Sequence, residues 1–229
     1  MMLFGIPADA EGVFLERPNR FLARVEVEGR VEEVHLHDPG RLPDLTRRGC
    51  PVLLRKAPNS RRKTRWDLLA FRVRDYWCFC HSGYHRRITA NLLFEARPFG
   101  DFTDLKAEPR VGEGRLDFLL ETSEGSLYLE VKGVTWAQGE VALFPDAPTE
   151  RGVRHLRALI SLVRSGNIAG LLFLVFRQEA RRLRAAEEVD PAFAGTLREA
   201  LRNGLQARAA VLSYDGRGVF FERYIPIEA

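Results

Sequence analysis

From Phe21 the chain alternates apolar and polar residues through Ala23, Val25 and Val27, turns at Glu28-Gly29-Arg30, and resumes from Val31 to His37. A period of two places one face in a core and the other in water, the signature of a half-buried strand. Asp38-Pro39-Gly40 ends the second arm. Pro51 to Lys56 reads as another strand, and Asp67 to His81 alternates through Leu69, Phe71 and Val73, then Trp77 and Phe79, around a bend at Arg74-Asp75. About five short strands with few helical signals predict a small Greek-key barrel of the oligonucleotide-binding type, although an SH3-like barrel satisfies the same pattern.

After His81 the pattern changes. Arg87 to Arg97 has helical spacing, with Ile88, Leu92 and Ala96 on one face and Pro98 as the stop. Strands are expected at Phe102–Ala107, Arg115–Glu121 and Ser126–Lys132, then a loop rich in Gly and Pro. A helix from about Glu150 to Arg164 carries Val153, Leu156, Ile160 and Val163 as one apolar stripe. Ile168 to Phe176 is a buried strand, Asp190-Pro191 opens a helix to Asn203-Gly204, and strands at Leu205–Tyr214 and Gly218–Ile225 follow. The expected division is a barrel over 1–81 and a second domain, α-β-β-β-α-β then α-β-β, over 82–229.

The net charge of +4 is unevenly placed. Residues 1–80 hold 15 basic and 11 acidic side chains, and the remainder is balanced at 20 of each. Arg47 to Arg65 holds eight basic residues and no acid. Such a stretch concentrates phosphates, and Arg55, Lys56, Arg61, Arg62, Lys63 and Arg65 are the candidate nucleic-acid contacts. A solvated loop is the plainer alternative. Phe21, Trp66 and Phe71 lie near enough to stack on bases or to fill the barrel core, and Trp66 is the candidate base-stacking ring.

Asp117 lies on one expected strand, and Glu130 and Lys132 share a face of the next. Two carboxylates can hold a hard cation such as Mg2+ or Mn2+, which polarises a phosphodiester and acidifies a bound water. A lysine beside them can orient that water or neutralise developing charge. A solvated Glu–Lys pair is the competing reading, but the chain has 31 arginines and only four lysines. A lysine kept beside Glu130 therefore points to a need for a compact, titratable ammonium. Arg151 and His155 share a helix face and could flank the same site with Thr149 at the helix N-terminus; a cap and a surface pair would look the same.

An acid, a gap of about a dozen residues and E-x-K within an αβββαβ order resembles the PD-(D/E)xK nuclease superfamily, with Leu116 where that motif has proline. Across the chain, Arg17-Pro18-Asn19-Arg20-Phe21-Leu22, His35-Leu36-His37-Asp38-Pro39-Gly40-Arg41-Leu42, Arg115-Leu116-Asp117-Phe118, Glu130-Val131-Lys132 and the run from Phe144 to Leu156 resemble the sugar fermentation stimulation protein A family. That resemblance implies a DNA-binding protein: an oligonucleotide-binding barrel followed by a nuclease-like domain with a mixed central sheet. It also implies a link to sugar, especially maltose, metabolism. Asp117, Glu130 and Lys132 are then the catalytic set, Asp117 and Glu130 the metal ligands, and Glu95 a further acid. Tyr84 to Ala90 is longer than the family pattern. The alternative is a regulator that binds DNA without cutting it; no spacing supports an enzyme acting on sugar.

The remaining readings are negative. Cys50, Cys78 and Cys80 do not suggest a disulfide scaffold. His35-x-His37 and Cys78-x-Cys80-His81 supply zinc-ligand types without the usual spacings, and no zinc is expected. No apolar run reaches membrane-span length, and Met1 to Glu16 lacks a signal peptide's basic start and long apolar core, so no membrane partner and a cytoplasmic location are expected.

Overall fold

The computed structural model describes residues 1–58, 62–112 and 114–228; Arg61 lies outside them. After β1 (Met2–Gly5) come β2 (Ala10–Asn19), β3 (Leu22–Val27), β4 (Arg30–Leu36), β5 (Pro51–Lys56), β6 (Trp66–Val73) and β7 (Tyr76–Phe79). Neighbours run β4-β3-β2-β5-β6-β7, and a parallel pairing of β4 with β6, Val34 opposite Trp66 and Leu36 opposite Leu68, closes a five-stranded barrel. The alternation on β3 and β4 turns Ala23, Val25, Val27, Val34 and Leu36 into the core. This closure is the oligonucleotide-binding barrel expected from the pattern.

The second part contains α1 (His85–Ala96), β8 (Asp104–Ala107), the short hairpin β9 (Arg110–Val111) and β10 (Gly114–Arg115), β11 (Phe118–Thr122), β12 (Gly125–Val134), β13 (Trp136–Gln138) and β14 (Val141–Phe144). Then follow α2 (Glu150–Arg164), β15 (Ile168–Val175), β16 (Arg182–Ala185), α3 (Pro191–Arg202), β17 (Gln206–Tyr214), β18 (Gly218–Ile225) and β19 (Ile227–Glu228). A seven-stranded mixed sheet runs β1-β18-β17-β15-β12-β11-β8, with β12, β15 and β17 parallel. The order α1-β8-β11-β12-α2-β15 is the nuclease-like αβββαβ arrangement. Its first edge strand is β1, at the N-terminal side of the barrel in sequence but paired with β18 in space.

Central burial explains the unbroken apolar run of β15, since a parallel strand covered on both faces has no polar side to show. Leu172 and Leu174 face the core shared with α1 and the barrel, whereas Leu171, Phe173 and Val175 face α2 and α3. Phe79 of β7 joins the barrel to the sheet, its ring centroid 5.4 Å from Phe176 and 5.1 Å from Tyr214. Helix starts follow their capping residues. Thr149 Oγ1 accepts from the Gly152 N–H at 3.0 Å, and Asp190 Oδ1 accepts from Phe193 N–H at 2.9 Å, ahead of Pro191. Among the described residues no helix is long and apolar enough to cross a membrane.

Two expectations need correction. The strand read across Arg115–Glu121 is interrupted: Arg115 belongs to β10, and β11 begins only at Phe118. Leu116 N–H turns to the Pro109 carbonyl at 3.2 Å, which leaves Asp117 at the break. The Gly- and Pro-rich loop after Lys132 also contains β13 and β14, which join β16 and β19 in a second, four-stranded sheet.

Candidate active site

The break before β11 gives Asp117 its position. Its N–H donates to the Leu129 carbonyl at 3.1 Å, and its Oδ2 accepts from the Val131 N–H at 2.7 Å. With Phe118 opposite Leu129, Asp117 comes beside Glu130, on the strand that also bears Lys132. Glu130 is only 3% exposed. Its Oε1 accepts from both Lys132 Nζ and His155 Nδ1, while its Oε2 is buried with no hydrogen-bond partner among the described residues. Because a carboxylate can only accept, Nδ1 carries the His155 proton.

These neighbours drive the two acids in opposite directions. Burial, then the charge of Glu130, pushes the Asp117 carboxyl up to about 6. Burial also pushes Glu130 upward, but the His155 hydrogen bond and the charge of Lys132 together outweigh it and hold Glu130 below its ordinary value.

A cleft of about 620 Å3 opens over these residues. Asp117, Glu130 and Lys132 form one wall; Arg20, Asp38 and Gly40 from barrel loops and Asp146, Thr149 and Arg151 from before and within the first turn of α2 border it. The barrel therefore reaches the acids directly. Asp146 Oδ2 accepts from the Leu42 N–H at 2.9 Å, tying the α2 approach to the loop after β4. Gly40 lets the loop approach closely there, since a Cβ would lie 2.6 Å from Asp146 Oδ2 and displace that carboxylate. Burial lifts the Asp38 carboxyl to about 6 as well, against a hydrogen bond from Gly40 N–H. His85 packs on Gly133, where a Cβ would come within 2.3 Å of the imidazole. Burial drives His85 down to about 3, leaving a neutral ring at the cleft.

The sequence candidates divide clearly. Asp117, Glu130, Lys132 and His155 converge, and Thr149 and Arg151 border the same cleft. Thr149 also caps α2, and its own N–H donates to Asp190 Oδ2 at 2.7 Å. Glu95 is exposed near the far end of α1, about 15 Å along the helix axis from His85.

The basic stretch is less uniform than its composition suggests. Arg62 forms a fork on Asp67 (2.7 and 3.2 Å), Arg65 approaches Glu32 at 3.9 Å, and Arg55 donates to the Tyr84 hydroxyl at 3.1 Å. Lys63 is exposed. Trp66, expected to stack on bases, is 8% exposed and packs in the core with Lys56 over its ring. Its place on β6, where it closes the barrel against Val34, accounts for that burial. Asp38, Asp146, Arg20 and His85 had no assigned role from sequence. All but His85 stand inside family-like runs, and that was their only visible signal.

The chain thus combines a closed oligonucleotide-binding barrel with a mixed αβββαβ sheet of nuclease-like order, and two acids lie beside a lysine at its cleft. Residues 15–80 match the SfsA N-terminal OB domain, and residues 83–218 match the sugar fermentation stimulation protein RE domain. The chain belongs to the sugar fermentation stimulation protein family. It is 40% identical to a sugar fermentation stimulation protein homolog of Methanococcoides burtonii, over 99% of this chain and 95% of the relative. The homolog of Thermotoga petrophila is 44% identical over 92% and 91%. The structure of Pyrococcus furiosus SfsA in complex with Ca2+ superposes with a TM-score of 0.90 at 29% identity, covering 100% of both chains.

Proposed function

We propose that this chain binds DNA across its barrel and cleft and cleaves phosphodiester bonds at Asp117, Glu130 and Lys132 with a divalent cation. The observation that carries the reading is Glu130 Oε2, a buried carboxylate oxygen without a hydrogen-bond partner among the described residues, beside the Asp117 carboxyl. An unpaired buried oxygen is costly, and a hard cation is the partner an oxygen-only pair suits. Asp117 and Glu130 would hold Mg2+ or Mn2+, which would supply charge neutralisation and an acidified water. The Pyrococcus furiosus relative, solved in complex with Ca2+, supports a divalent cation as ligand.

The protein's own groups then have distinct tasks. Glu130 anchors Lys132 and His155 on one oxygen, so the ammonium is held at the cleft rather than ranging over the surface. From there it can orient the attacking water or meet the developing phosphate charge. Arg20 from the barrel and Arg151 from α2, which both line the cleft, can pair with flanking phosphates. Single- and double-stranded DNA and RNA incubated with protein and Mg2+ or Mn2+ test the reading. Cleavage should appear, stop with chelator and be lost in Asp117→Asn. Tight binding with no cleavage under either metal would favour the non-cleaving regulator of sugar metabolism genes.

A further inference from the structure

Between β2 and β3 the chain turns through Arg20-Phe21, at the border of the cleft. Asn19 Oδ1 accepts from the Phe21 N–H at 2.9 Å, and the Phe21 carbonyl accepts from Leu36 N–H at 3.0 Å. Arg17 fastens the turn to the loop after β4, donating to the carbonyls of Arg20 at 2.8 Å, Arg41 at 3.0 Å and Asp38 at 3.1 Å. The backbone is thus fixed from both sides, and its two side chains project from a rigid base.

Those side chains are one cation and one bare ring. Arg20 borders the cleft with Asp117, Glu130 and Lys132. Phe21 is 48% exposed, with the Arg20 guanidinium carbon 5.9 Å from its ring centroid. Other exposed rings have aromatic neighbours: Phe94 meets Phe102 at 4.9 Å and Tyr224 meets Phe221 at 4.8 Å. Phe21 has none among the described residues. An exposed ring beside a guanidinium that lines the cleft is a surface the face of a nucleobase fits.

We infer that Phe21 and Arg20 form a stacking platform for an unpaired base next to the cleft, making single-stranded nucleic acid, or the unpaired end of a duplex, the preferred ligand. The inference rests on the proposed nucleic-acid reading and narrows it. A base inside a duplex has both faces covered, whereas an unpaired base offers one to the ring. The adjacent guanidinium can meet its phosphate or extend the stack. The loop between the first two barrel strands is also a surface that oligonucleotide-binding barrels use.

Fluorescence anisotropy with a single-stranded 20-mer and the matching blunt duplex, in chelator, tests this. The wild type should prefer the single strand. That preference should fall roughly tenfold or more in Phe21→Ala and return in Phe21→Trp. A 2-aminopurine placed along the strand should be quenched on binding to wild type and not to Phe21→Ala. Equal loss on both ligands, or unchanged preference and quenching, would overturn the platform while leaving nucleic-acid binding intact. Binding of neither ligand by the wild type would overturn both readings.

Discussion

The Val131 N–H holds Asp117 Oδ2 at 2.7 Å, so the strand carrying Glu130 and Lys132 also positions the acid that faces them. The contact sits at the break in the chain before β11, where Asp117 keeps its main-chain bond to Leu129 and also offers its side chain to Val131. Two acids are thereby held together in a buried place, and the metal-free protein bears the electrostatic cost.

That cost has a pH signature. Asp117 titrates at about 6 in the fold against an ordinary 3.8, so between these values the folded state binds more protons than the unfolded one. Stability of the metal-free protein should therefore fall as pH rises from about 4 to 6, and this contribution is fully lost above that window. Asp38 shares the direction and is present in both proteins compared. Melting temperature measured in chelator should drop more steeply across the window in wild type than in Asp117→Asn. Parallel curves would contradict the placement of Asp117.

Adding Mg2+ or Mn2+ at neutral pH should reverse the effect, because a ligand that binds only the folded state stabilises it by mass action. Calorimetry should show a metal-dependent rise in melting temperature, smaller in Asp117→Asn and in Glu130→Gln. An equal response from all three proteins would place the metal elsewhere.

The same energetic logic separates what the sequence makes legible from what it hides. The alternation on β3 and β4 and the unbroken apolar run of β15 reveal burial on one face and on two, and burial fixes their place. Asp117, Glu130 and Lys132 are legible because three charges set among otherwise apolar residues have no packing reason. The four-stranded sheet is hidden because β13, β14, β16 and β19 are at most four residues long, and only the β13–β14 hairpin is local, while β16 and β19 join it across long sequence gaps. Asp146 and Leu42 meet only through the tertiary fold, so their contact leaves no local periodicity. Likewise, the basic stretch looks acid-free only until Asp67 and Glu32 arrive from β6 and β4.

Arg62 consequently has a structural role that Lys63 lacks. Asp67 is buried and receives both branches of the Arg62 fork. Arg62→Ala would leave a buried carboxylate without its cation and should cost about 2 kcal/mol by urea denaturation. Lys63→Ser should leave stability within about 0.5 kcal/mol while lowering the slope of log affinity against log salt by about 0.9 on duplex DNA. Identical stabilities would remove the distinction.

The two domains are also joined by a buried cation. Arg177, 6% exposed, pairs with Asp44 of the barrel and with Glu179, and its Nε donates to the Tyr76 hydroxyl at 3.1 Å. Arg177→Ala strands these acceptors together and should cost about 3–5 kcal/mol. Double substitution of Arg177 and Asp44 should cost less than the sum of the single losses, since the partners share one network. Additive losses in a denaturation cycle would show that the contact does not couple the domains.

Lys132→Arg is the sharpest test of chemistry at the site. Arginine preserves the positive charge, and this chain uses it at 31 of its 35 basic positions. If Lys132 only balanced Glu130, the exchange would cost nothing. The ammonium, however, lies in a confined place between Glu130 and the cleft, where the site must accept one small donor. A longer, planar guanidinium would shift the donor, and a displacement of about 1 Å can cost roughly a hundredfold in rate. The expected result is melting temperature and DNA affinity close to wild type, with metal-dependent cleavage reduced roughly a hundredfold. Single-turnover cleavage beside an anisotropy measurement separates the two quantities. Full cleavage by the variant would remove Lys132 from the chemistry, and a parallel fall in affinity would instead make it a binding residue.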